Sequence, residues 1–494
     1  MPADEQDAAF DIHGEYWPPH DSAQEYLQVM TDKRHGFIHR LFSYVTGKQG
    51  DARSQAPVAT LSILPRDQHP ISRKHISDNA IKVLQRLNGH GYQAFLVGGC
   101  IRDLMLDLNP KDFDVATSAT PEEVRELFRN SRIIGRRFKL IHVVFGREVI
   151  EVATFRASHR AADDKHDSAI SHHSRKGRIL RDNVYGTIED DAVRRDFTMN
   201  SLYYTITDFS IHDYCGGVQD IHNQVIRLIG DPETRYREDP VRMLRAIRFA
   251  AKLNFHIADN TAAPIATLAH LLKDIPAARL FDEVLKLFLS GQAASTYRLL
   301  RDYHLLESLF PATEACLEET PTARQIIVNA LHNTDLRIQE NKPVTPAFFF
   351  AAMLWPALIQ LRDCYQGRGI PPAPALQQAA THVISRQCKR TALPKRFTIP
   401  MREIWEMQLL LERRRPRRID ELATHPRFRA AYDFLLLREQ SGEATNDAGQ
   451  WWTNYQAASQ DGEREALIKQ LHSIPGNERK RRKHHPRKRP DSTV

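Results

Sequence analysis

The sequence predicts a mixed α/β domain that is followed by a long all-helical region. Apolar β-branched runs separated by glycines dominate residues 92–155, a pattern typical of strands and turns. From about residue 239 to residue 440, Leu, Ala and Arg recur at helical spacing and strand-like runs are few. Residues 1–70 mix acids, Gly, Pro and Ser without a sustained period, which predicts a largely irregular extension.

The composition is that of a folded protein with a local excess of positive charge. Of the 494 residues, 41% are hydrophobic and 26% are charged, which argues against a mostly disordered or membrane-embedded chain. The formal net charge is +8, from 69 basic and 61 acidic residues. The segment Arg479–Arg489 alone carries eight Lys or Arg and no acid, so it accounts for the whole excess.

Cysteine spacing and the N-terminal sequence predict a reducing, cytoplasmic environment without a membrane partner. The five cysteines lie far apart, and no C-x-x-C pair of the zinc-binding kind is present. The acidic N-terminus lacks the basic-then-apolar order of a secretory signal. Pro343–Leu361 carries no charge, but Pro346 and Pro356 interrupt it, which favours a buried helix pair over a membrane span.

Regular structure is predicted to begin near Ser72 with a helix, a strand and a second helix. Apolar residues recur at helical spacing over Ala80–Leu87, and later glycines end this helix. The apolar run Tyr92–Val97 predicts a strand that ends at Gly98-Gly99. A short helical pattern follows over Ile101–Leu106.

The next segments predict a strand, a capped helix and a hairpin. Polar and apolar residues alternate over Asp112–Val115. Thr120 begins a capping box with proline at the first helical position, which predicts a helix to Phe128. Ile141–Phe145 and Val149–Phe155 are β-branched and flank a glycine, so they are predicted to pair as a hairpin.

A polar segment, Ala157–Asp182, follows the hairpin and is rich in His, Asp, Lys and Ser. It predicts a mobile insertion in the sheet domain. His172-His173 and nearby acids suggest a metal site, but no predicted helix or strand would fix the ligand geometry. A solvated insertion is therefore the favoured interpretation.

Asp112 and Asp114 are the first candidates for chemistry. Residues two apart on a strand point the same way, so both carboxylates would share one face while Phe113 and Val115 pack into the core. Mg²⁺ prefers oxygen ligands and phosphates, and two such ions can stabilise the attacking and leaving oxygens of a phosphoryl transfer. Taken alone, such a pair is more often a solvated strand face.

The element before this strand makes the pattern more specific. Gly98-Gly99 allows backbone N–H groups to approach a phosphate, and Arg102 one turn later is placed to bind its oxygens. A strand, the residues GGCIRD, a short spacer and DFD on a second strand resemble the signature of the DNA polymerase β nucleotidyltransferase superfamily.

Further motifs extend the resemblance. Glu151 lies on a third predicted strand, Arg194–Asn200 resembles an RRDF-x-x-N motif and Glu238–Arg242 an ED-x-x-R motif. In this order the set resembles class II nucleotidyltransferases, the branch shared by bacterial poly(A) polymerases and CCA-adding enzymes. The resemblance is strong over residues 75–255 and weaker to residue 440. It implies an α/β nucleotidyltransferase head with a polymerase β-like mixed sheet, followed by an all-α neck, body and tail.

The resemblance also implies roles for the residues that match these motifs. Asp112 and Asp114 would bind the metals, and Asp196 would be a further catalytic acid, with Glu151 the competing candidate for the third carboxylate. The implied cofactor is Mg²⁺, with Mn²⁺ as an alternative, and the implied substrate is ATP. The residues implied to contact the triphosphate or ribose are Gly98, Gly99, Arg102, Asp103, Arg195 and Asn200.

The ED-x-x-R segment predicts base recognition. Asp239 and Arg242 are three apart, so on a helix they would project on one side, where Asp accepts from an exocyclic amine and Arg donates to the adjacent ring nitrogen. Adenine and cytosine both offer this pattern, so the pair would exclude G and U without choosing between A and C. Arg245 and Arg248 extend the same polar stripe, although such a pair is also an ordinary helix-surface contact.

Other features favour adenylate addition over CCA addition. Ile133–Val143 resembles a signature of bacterial poly(A) polymerases that their CCA-adding relatives lack. The chain also lacks the His-Asp pairs of the phosphohydrolase domain found in some CCA-adding enzymes, since His332 and Asp335 are isolated. The alternatives that remain open are a CCA-adding tRNA nucleotidyltransferase and a catalytically inactive RNA-binding protein.

Two basic clusters predict contact with RNA 3′ ends of little sequence specificity, because phosphate neutralisation does not read bases. The predicted RNA-binding residues are Arg413, Arg414, Arg415, Arg417, Arg418, Arg479, Lys480, Arg481, Arg482 and Lys483. RNA-decay proteins are expected as further partners. The predicted organisation is an extension (1–70), a catalytic head (71–215), a neck with the base-reading helix (216–275), a helical body that binds RNA (276–440) and a polar tail with a basic C-terminus (441–494).

Overall fold

The computed structural model describes residues 60–135, 139–157, 171–173, 179–182, 184–317, 321–458 and 461–471. The protein divides into two compact units. The larger unit is Ala56–Gly449. Of the smaller unit, the structure describes residues 450–458 and 461–471, which are mainly helical.

The main sheet of the described residues contains eight strands in the order β1-β10-β9-β2-β3-β6-β5-β4. Its only parallel pair is β3 with β6, and the other neighbours run antiparallel, so the sheet is mixed as predicted. Two further sheets pair β7 with β8 and β11 with β12. The strands are β1 (Ser62–Leu64), β2 (Ala94–Val97), β3 (Asp114–Thr117), β4 (Ser131–Ile134), β5 (Leu140–Phe145), β6 (Glu148–Thr154), β7 (Ser171–His173), β8 (Ile179–Asp182), β9 (Leu202–Tyr204), β10 (Ile211–Asp213), β11 (Val225–Ile226) and β12 (His256–Ile257).

Five α-helices belong to the part of the chain that carries the main sheet. They are α1 (Asp78–Gly89), α2 (Gly99–Met105), α3 (Pro121–Leu127), α4 (Ile188–Arg194) and α5 (Gly217–His222). Helix α1 buries Ala80, Ile81, Leu84 and Leu87, the residues whose spacing predicted it. Helix α3 begins with the predicted capping box between Thr120 and Glu123.

The chain beyond α5 is almost entirely helical, as the periodicity predicted. Its helices are α6 (Pro232–Glu238), α7 (Val241–Leu253), α8 (Asp259–Ala262), α9 (Ile265–Leu268), α10 (Ala277–Phe288), α11 (Ala293–Asp302), α12 (Leu306–Leu309), α13 (Pro311–Leu317), α14 (Pro321–Gln339), α15 (Pro346–Gly367), α16 (Pro372–Cys388), α17 (Lys395–Arg413), α18 (Ile419–Ala423), α19 (Phe428–Gln440), α20 (Ala448–Ala457) and α21 (Asp461–Gln470).

Helix α15 corrects the prediction of a buried helix pair. It is one continuous helix of 22 residues with Pro346 in its first turn and Pro356 inside it. A proline in the first turn costs no backbone hydrogen bond, and dense packing outweighs the cost of the internal one. By length and composition α15 is the one described helix that could span a membrane, but 61% of its apolar window is buried within the protein, as in a core helix.

Two segments predicted to be irregular contain short strands. Residues 1–70 were predicted as an extension, but Ser62–Leu64 forms the edge strand β1, which pairs with β10. Within the predicted insertion, Ser171–His173 pairs with Ile179–Asp182, while most of the remaining residues lie outside the described chain. Strands of three or four residues are too short to show a period in the sequence, which explains both errors.

Gly217 fixes the position of a turn that leads toward a polar cleft. A Cβ at Gly217 would overlap the backbone carbonyl of Thr198, which opens the 3₁₀ turn Thr198–Asn200. Only glycine therefore fits at this contact between α5 and the turn. Asn200, at the end of the turn, reaches the cleft.

We predict that Gly217→Ala lowers the free energy of unfolding by about 1–3 kcal/mol, because the added methyl group displaces the turn. Gly89→Ala is the matched control, since a Cβ at Gly89 meets no atom within 4 Å. Denaturant unfolding of both variants measures the difference. Equal stabilities would contradict the packing described for Gly217.

Candidate active site

A cleft of about 560 Å³ lies between the main sheet and helices α7, α10 and α11. Its walls carry seven Lys or Arg and two carboxylates among the described residues, so its field favours a polyanion. The lining residues are Gly98, Gly99, Arg102, Lys111, Asp114, Arg195, Asp196, Asn200, Arg245, Arg248, Phe249, Lys252, Lys286, Leu287, Ser290, Gln292 and Thr296.

The turn at Gly98 opens the cleft on the side of the sheet. Gly98 follows β2 with φ 82° and ψ −136°, a conformation that strongly favours glycine. A Cβ at this position would lie 3.7 Å from Nη1 of Arg195. That distance is an ordinary van der Waals contact, so the backbone conformation and not a lack of space favours glycine here.

Arg102 is buried on α2 and orients two neighbours. It donates through Nη1 to Oδ1 of Asn200 at 2.7 Å and through Nε to Oδ1 of Asp103 at 2.8 Å. The other carboxylate oxygen of Asp103 accepts from Lys252 at 3.3 Å. Asp103 was predicted to contact the nucleotide, but it is buried beside the cleft rather than in its lining, because these two cations hold it.

Arg195 is held by a buried acid and a tyrosine. Its Nη2 donates to Oδ2 of Asp191 at 2.8 Å, and its Nε donates to the hydroxyl of Tyr203 at the same distance. Tyr203 in turn donates to Asp191 at 2.7 Å. This arrangement leaves the Arg195 side chain partly exposed in the cleft, where its charge acts on Asp114.

Asp114 and Glu151 bring two carboxylates together. They are direct neighbours in the parallel register of β3 and β6. Burial, together with the nearby charges of Glu151 and Asp112, raises the pKa of Asp114 to about 6 against the opposing effect of Arg195. Glu151 is half-exposed and also lies 3.2 Å from Nε2 of His142.

Asp112 is not on the strand, contrary to the prediction. Strand β3 begins at Asp114, which pairs with Val97, the last residue of β2. Because Gly98 turns the chain away at that point, residues before Asp114 have no ladder partner on β2. Asp112 is therefore exposed just before the strand, close enough to act on Asp114 but outside the cleft lining.

Asp196 lies in the cleft but is already bound to a cation. Its Oδ2 accepts from Nε of Arg245 at 2.7 Å, and its Oδ1 accepts from the Phe197 N–H at 2.8 Å and from Asn200 at 3.1 Å. Burial opposes ionisation, but Arg245 and these hydrogen bonds outweigh it and hold the pKa of Asp196 at about 2. Of the two candidates for the third carboxylate, Glu151 is thus the one that adjoins Asp114.

The cluster of Asp114, Glu151 and Asp112 fits a divalent cation bound together with substrate. Oxygen ligands that repel one another suit a hard ion, and Mg²⁺ typically takes one or two carboxylates with phosphates and water completing the shell. No preformed group of three or more ligands occurs among the described residues.

Asp239 and Arg242 do not share a helix, which corrects the prediction. Asp239 is extended, with φ −146°, between α6 and α7, because the following Pro240 disfavours the helical conformation. Its two oxygens accept from Arg279 at 2.9 and 2.7 Å. Arg242 lies in the first turn of α7 and is buried, and its Nη1 donates to Oε2 of Glu238 at 2.9 Å. Neither Asp239 nor Arg242 lines the cleft.

The base of the cleft combines Arg245 and Arg248 of the predicted stripe with Phe249 and Lys252, which the motifs did not predict. Arg245, Arg248, Phe249 and Lys252 recur at intervals of three and four along α7, so one face of the helix enters the cleft. The guanidinium carbons of Arg245 and Arg248 lie 5.5 and 4.9 Å from the ring centroid of Phe249. Extending the Arg245–Arg248 stripe by one helical turn would have predicted Phe249 and Lys252. No motif or periodicity near Lys111 or Lys286 predicts that these two lysines line the cleft.

The predicted RNA-binding clusters are only partly described. Arg414 donates to the carbonyls of Asn446 and Asp447, and Arg418 pairs with Glu421. Contacts within the protein therefore occupy part of the cluster 413–418. Arg479–Lys483 lies outside the described residues, as do Arg136–Phe138 of the segment Ile133–Val143.

Three parts of the chain match known protein families. Residues 94–227 match the poly A polymerase head domain, residues 254–317 the probable RNA and SrmB-binding site of polymerase A, and residues 368–489 the polymerase A arginine-rich C-terminus. Poly(A) polymerase I of Salmonella typhimurium is 49% identical over 447 residues, which cover 90% of this chain and 95% of the relative. The chain belongs to the poly(A) polymerase family.

Within this family context, CCA-adding enzymes are more distant. That of Lactobacillus helveticus is 35% identical over 230 residues, which cover 47% of this chain and 54% of the relative. The solved structure of the Thermotoga maritima CCA-adding enzyme complexed with tRNA has a TM-score of 0.53 at 17% identity and covers 83% of this chain and 94% of its own. At that identity the likeness shows the fold alone, a mixed-sheet nucleotidyltransferase head followed by helices.

We predict that Mg²⁺ stabilises the protein in a pH-dependent way. The ion must displace the proton of Asp114, whose raised pKa of about 6 leaves it protonated at lower pH. The Mg²⁺-induced rise in Tm should therefore be largest above pH 7 and should fall through pH 6. Thermal unfolding with and without Mg²⁺ across this range measures it.

Two variants test the assignment. Glu151→Gln removes a like charge beside Asp114, so the pH at which the Mg²⁺-induced rise in Tm is half-maximal should fall. Asp114→Asn should abolish the Mg²⁺-induced rise in Tm. A wild-type response that is constant on both sides of pH 6 would rule out Asp114 as a ligand.

Proposed function

We propose that the protein adds adenylate from ATP to the 3′-hydroxyl of RNA, without a template and with release of pyrophosphate. The observation that carries the proposal is the cationic cleft that combines the Gly98 turn with the adjoining carboxylates of β3 and β6. Membership of the poly(A) polymerase family over most of the chain supports adenylate as the product. A polynucleotide adenylyltransferase of this kind would promote RNA processing and decay.

Asp114, Glu151 and Asp112 would hold the divalent ions. When bound, Mg²⁺ or Mn²⁺ would make the 3′-hydroxyl more acidic and neutralise charge on the departing pyrophosphate. The pKa of about 6 keeps Asp114 largely ionised at neutral pH, as a ligand must be. Glu151 is the better-supported third carboxylate, because Arg245 already neutralises Asp196.

The cations of the cleft would bind the triphosphate. Arg195, Lys111 and Lys252 surround the cleft near the carboxylates, and the Gly98-Gly99 turn allows close approach of the backbone. Arg102 contributes mainly by positioning, since Asp103 and Asn200 occupy its donors. Asn200 and Asp196, which also line the cleft, would orient the nucleotide.

Base recognition by Asp239 and Arg242 stays a prediction. In the structure both side chains are paired within the protein, Asp239 with Arg279 and Arg242 with Glu238. The cytoplasmic location and the RNA-decay partners also stay predictions. RNA binding by Arg479–Lys483 is proposed from charge alone.

Nucleotide preference is the direct test of the proposed reaction. We expect purified protein with a short unstructured RNA and Mg²⁺ to make long products from ATP alone and none from GTP or UTP. Denaturing gels with each nucleoside triphosphate separately measure this. Asp112→Ala with Asp114→Ala is the inactive control, because it removes two of the proposed metal ligands.

Three outcomes would reject the proposal. Incorporation of CTP into a tRNA that ends in C would indicate a CCA-adding enzyme. Equal extension by the double variant would show that the carboxylates are not catalytic, and no extension by the wild type with any nucleotide would indicate an RNA-binding protein.

A matched pair on α7 tests the roles of its arginines. Arg245→Met breaks a partly buried ion pair with Asp196 and should lower the free energy of unfolding by about 2 kcal/mol. Arg248 has no hydrogen bond or ion pair within the described residues, so Arg248→Met should cost less than half as much while raising the KM for ATP. Denaturant unfolding and steady-state kinetics separate the two effects. Similar losses of stability would contradict the difference in pairing.

A further inference from the structure

A second cationic surface lies at the loop between α16 and α17 and at the helix ends that flank this loop, far along the chain from the cleft residues of the head. We call Arg386, Lys389, Arg390, Lys395 and Arg396 the basic loop surface. No Asp or Glu occurs from residue 364 to residue 402, a segment that contains seven Lys or Arg. The segment therefore supplies no carboxylate of its own to neutralise these charges.

The five cations also form no ion pair with other parts of the described chain, although the guanidinium carbon of Arg396 lies 4.8 Å from the ring centroid of Phe397. Arg386, Lys389, Lys395 and Arg396 are exposed, and Arg390 is half-buried. None of the five forms a salt bridge or side-chain hydrogen bond with a described residue, whereas Arg414 and Arg418 of the predicted cluster do. Unneutralised like charges repel one another, so an anionic partner would gain the full interaction.

The loop holds its cations on a rigid backbone. Gln387 is buried and donates through Nε2 to the carbonyl of Leu309 and to the hydroxyl of Thr391, both at 2.9 Å. Thr391 is fully buried and Leu393 packs in the core. Because buried anchors alternate with exposed cations, binding a polyanion would cost little backbone ordering.

The loop adjoins the helix that reaches the cleft. The N–H of Ala392 donates to the carbonyl of Ala277 at 3.0 Å. The ring centroids of Phe397 and Phe281 lie 5.9 Å apart. Ala277 begins α10, and Lys286 on the same helix lines the cleft. Ala277 and Lys286 are about 14 Å apart along the helix axis. A nucleic-acid strand with the nucleotide spacing that it has in a duplex covers this distance with about four nucleotides.

We propose that the basic loop surface binds the phosphates of the RNA a few nucleotides before its 3′ end. The proposal rests on the proposed function, since the 3′-hydroxyl would lie in the cleft. Ionic contacts to phosphates need no base recognition, which suits an RNA of variable sequence. The surface thus assigns primer contact to a described part of the chain that neither predicted cluster includes.

The test combines Lys389→Gln, Arg390→Gln, Lys395→Gln and Arg396→Gln in one variant. Binding of a labelled RNA of about 12 nucleotides is followed by fluorescence anisotropy as the salt concentration rises from about 50 to 200 mM. Each phosphate contact to a single strand contributes about 0.7 to the slope of log affinity against log salt, so losing all four should flatten it by about 3. Affinity at low salt should fall at least about tenfold, while affinity for a trinucleotide should not change.

The matched control combines Arg125→Gln, Arg129→Gln, Arg132→Gln and Arg147→Gln. These four arginines are exposed, form no ion pair within the described residues and do not line the cleft. The control removes the same charge and should keep the wild-type slope. Equal slopes for the wild type and the loop variant, or equal losses in both variants, would overturn the proposal.

The binding test is independent of the reaction. If the wild-type protein fails to extend the same RNA with ATP, the proposed function fails whatever the slopes are. If it extends the RNA and the loop variant binds with the wild-type slope, only the inference fails. Unfolding curves of both variants check that they remain folded, because Arg390 is half-buried and the Arg396 guanidinium lies over the Phe397 ring.

Discussion

Asn200 joins the two walls of the cleft, and the geometry of the site depends on its two hydrogen bonds. It accepts from Arg102 on α2 and donates to Asp196, which in turn accepts from Arg245 on α7. A single polar chain therefore connects the glycine turn of the sheet to the first long helix of the helical region. Gly217 places the turn that carries Asn200, so a backbone contact outside the cleft fixes the centre of this chain.

Charge is distributed unevenly along this polar chain. Asp196, Asp191 and Asp103 are each neutralised by arginine or lysine, which allows them to be buried as ionised groups. Asp114 instead adjoins Glu151, and burial together with this like charge raises the pKa of Asp114 to about 6 against the opposing effect of Arg195. The acids that position the walls of the cleft are thus paired with cations of the protein. Asp114 and Glu151 are the acids left to bind a metal ion together with a triphosphate.

Much of the fold was predictable because its elements have strong local signals. The capping box at Thr120, the hairpin of β5 and β6 and the stripe of α1 each follow from residues close in sequence, and the structure confirms them. The predictions for Asp239 and Asp112 were wrong because another residue decided the backbone conformation or strand pairing at each position. Pro240 removes Asp239 from the helix, and the turn at Gly98 deprives Asp112 of a strand partner.

The sequence by itself determined the order of strands and helices, the glycine turn and the identity of the acids and arginines in the motifs. Periodicity, capping and glycine conformation act over a few residues, so they are written in the local sequence. Only the tertiary structure decided which of these charges meet. It paired Asp196 with Arg245, Asp239 with Arg279 and Asp114 with Glu151, and it brought Lys286 to the cleft. Ion pairs between residues far apart in the chain depend on how helices pack against the sheet, and no local pattern encodes that packing.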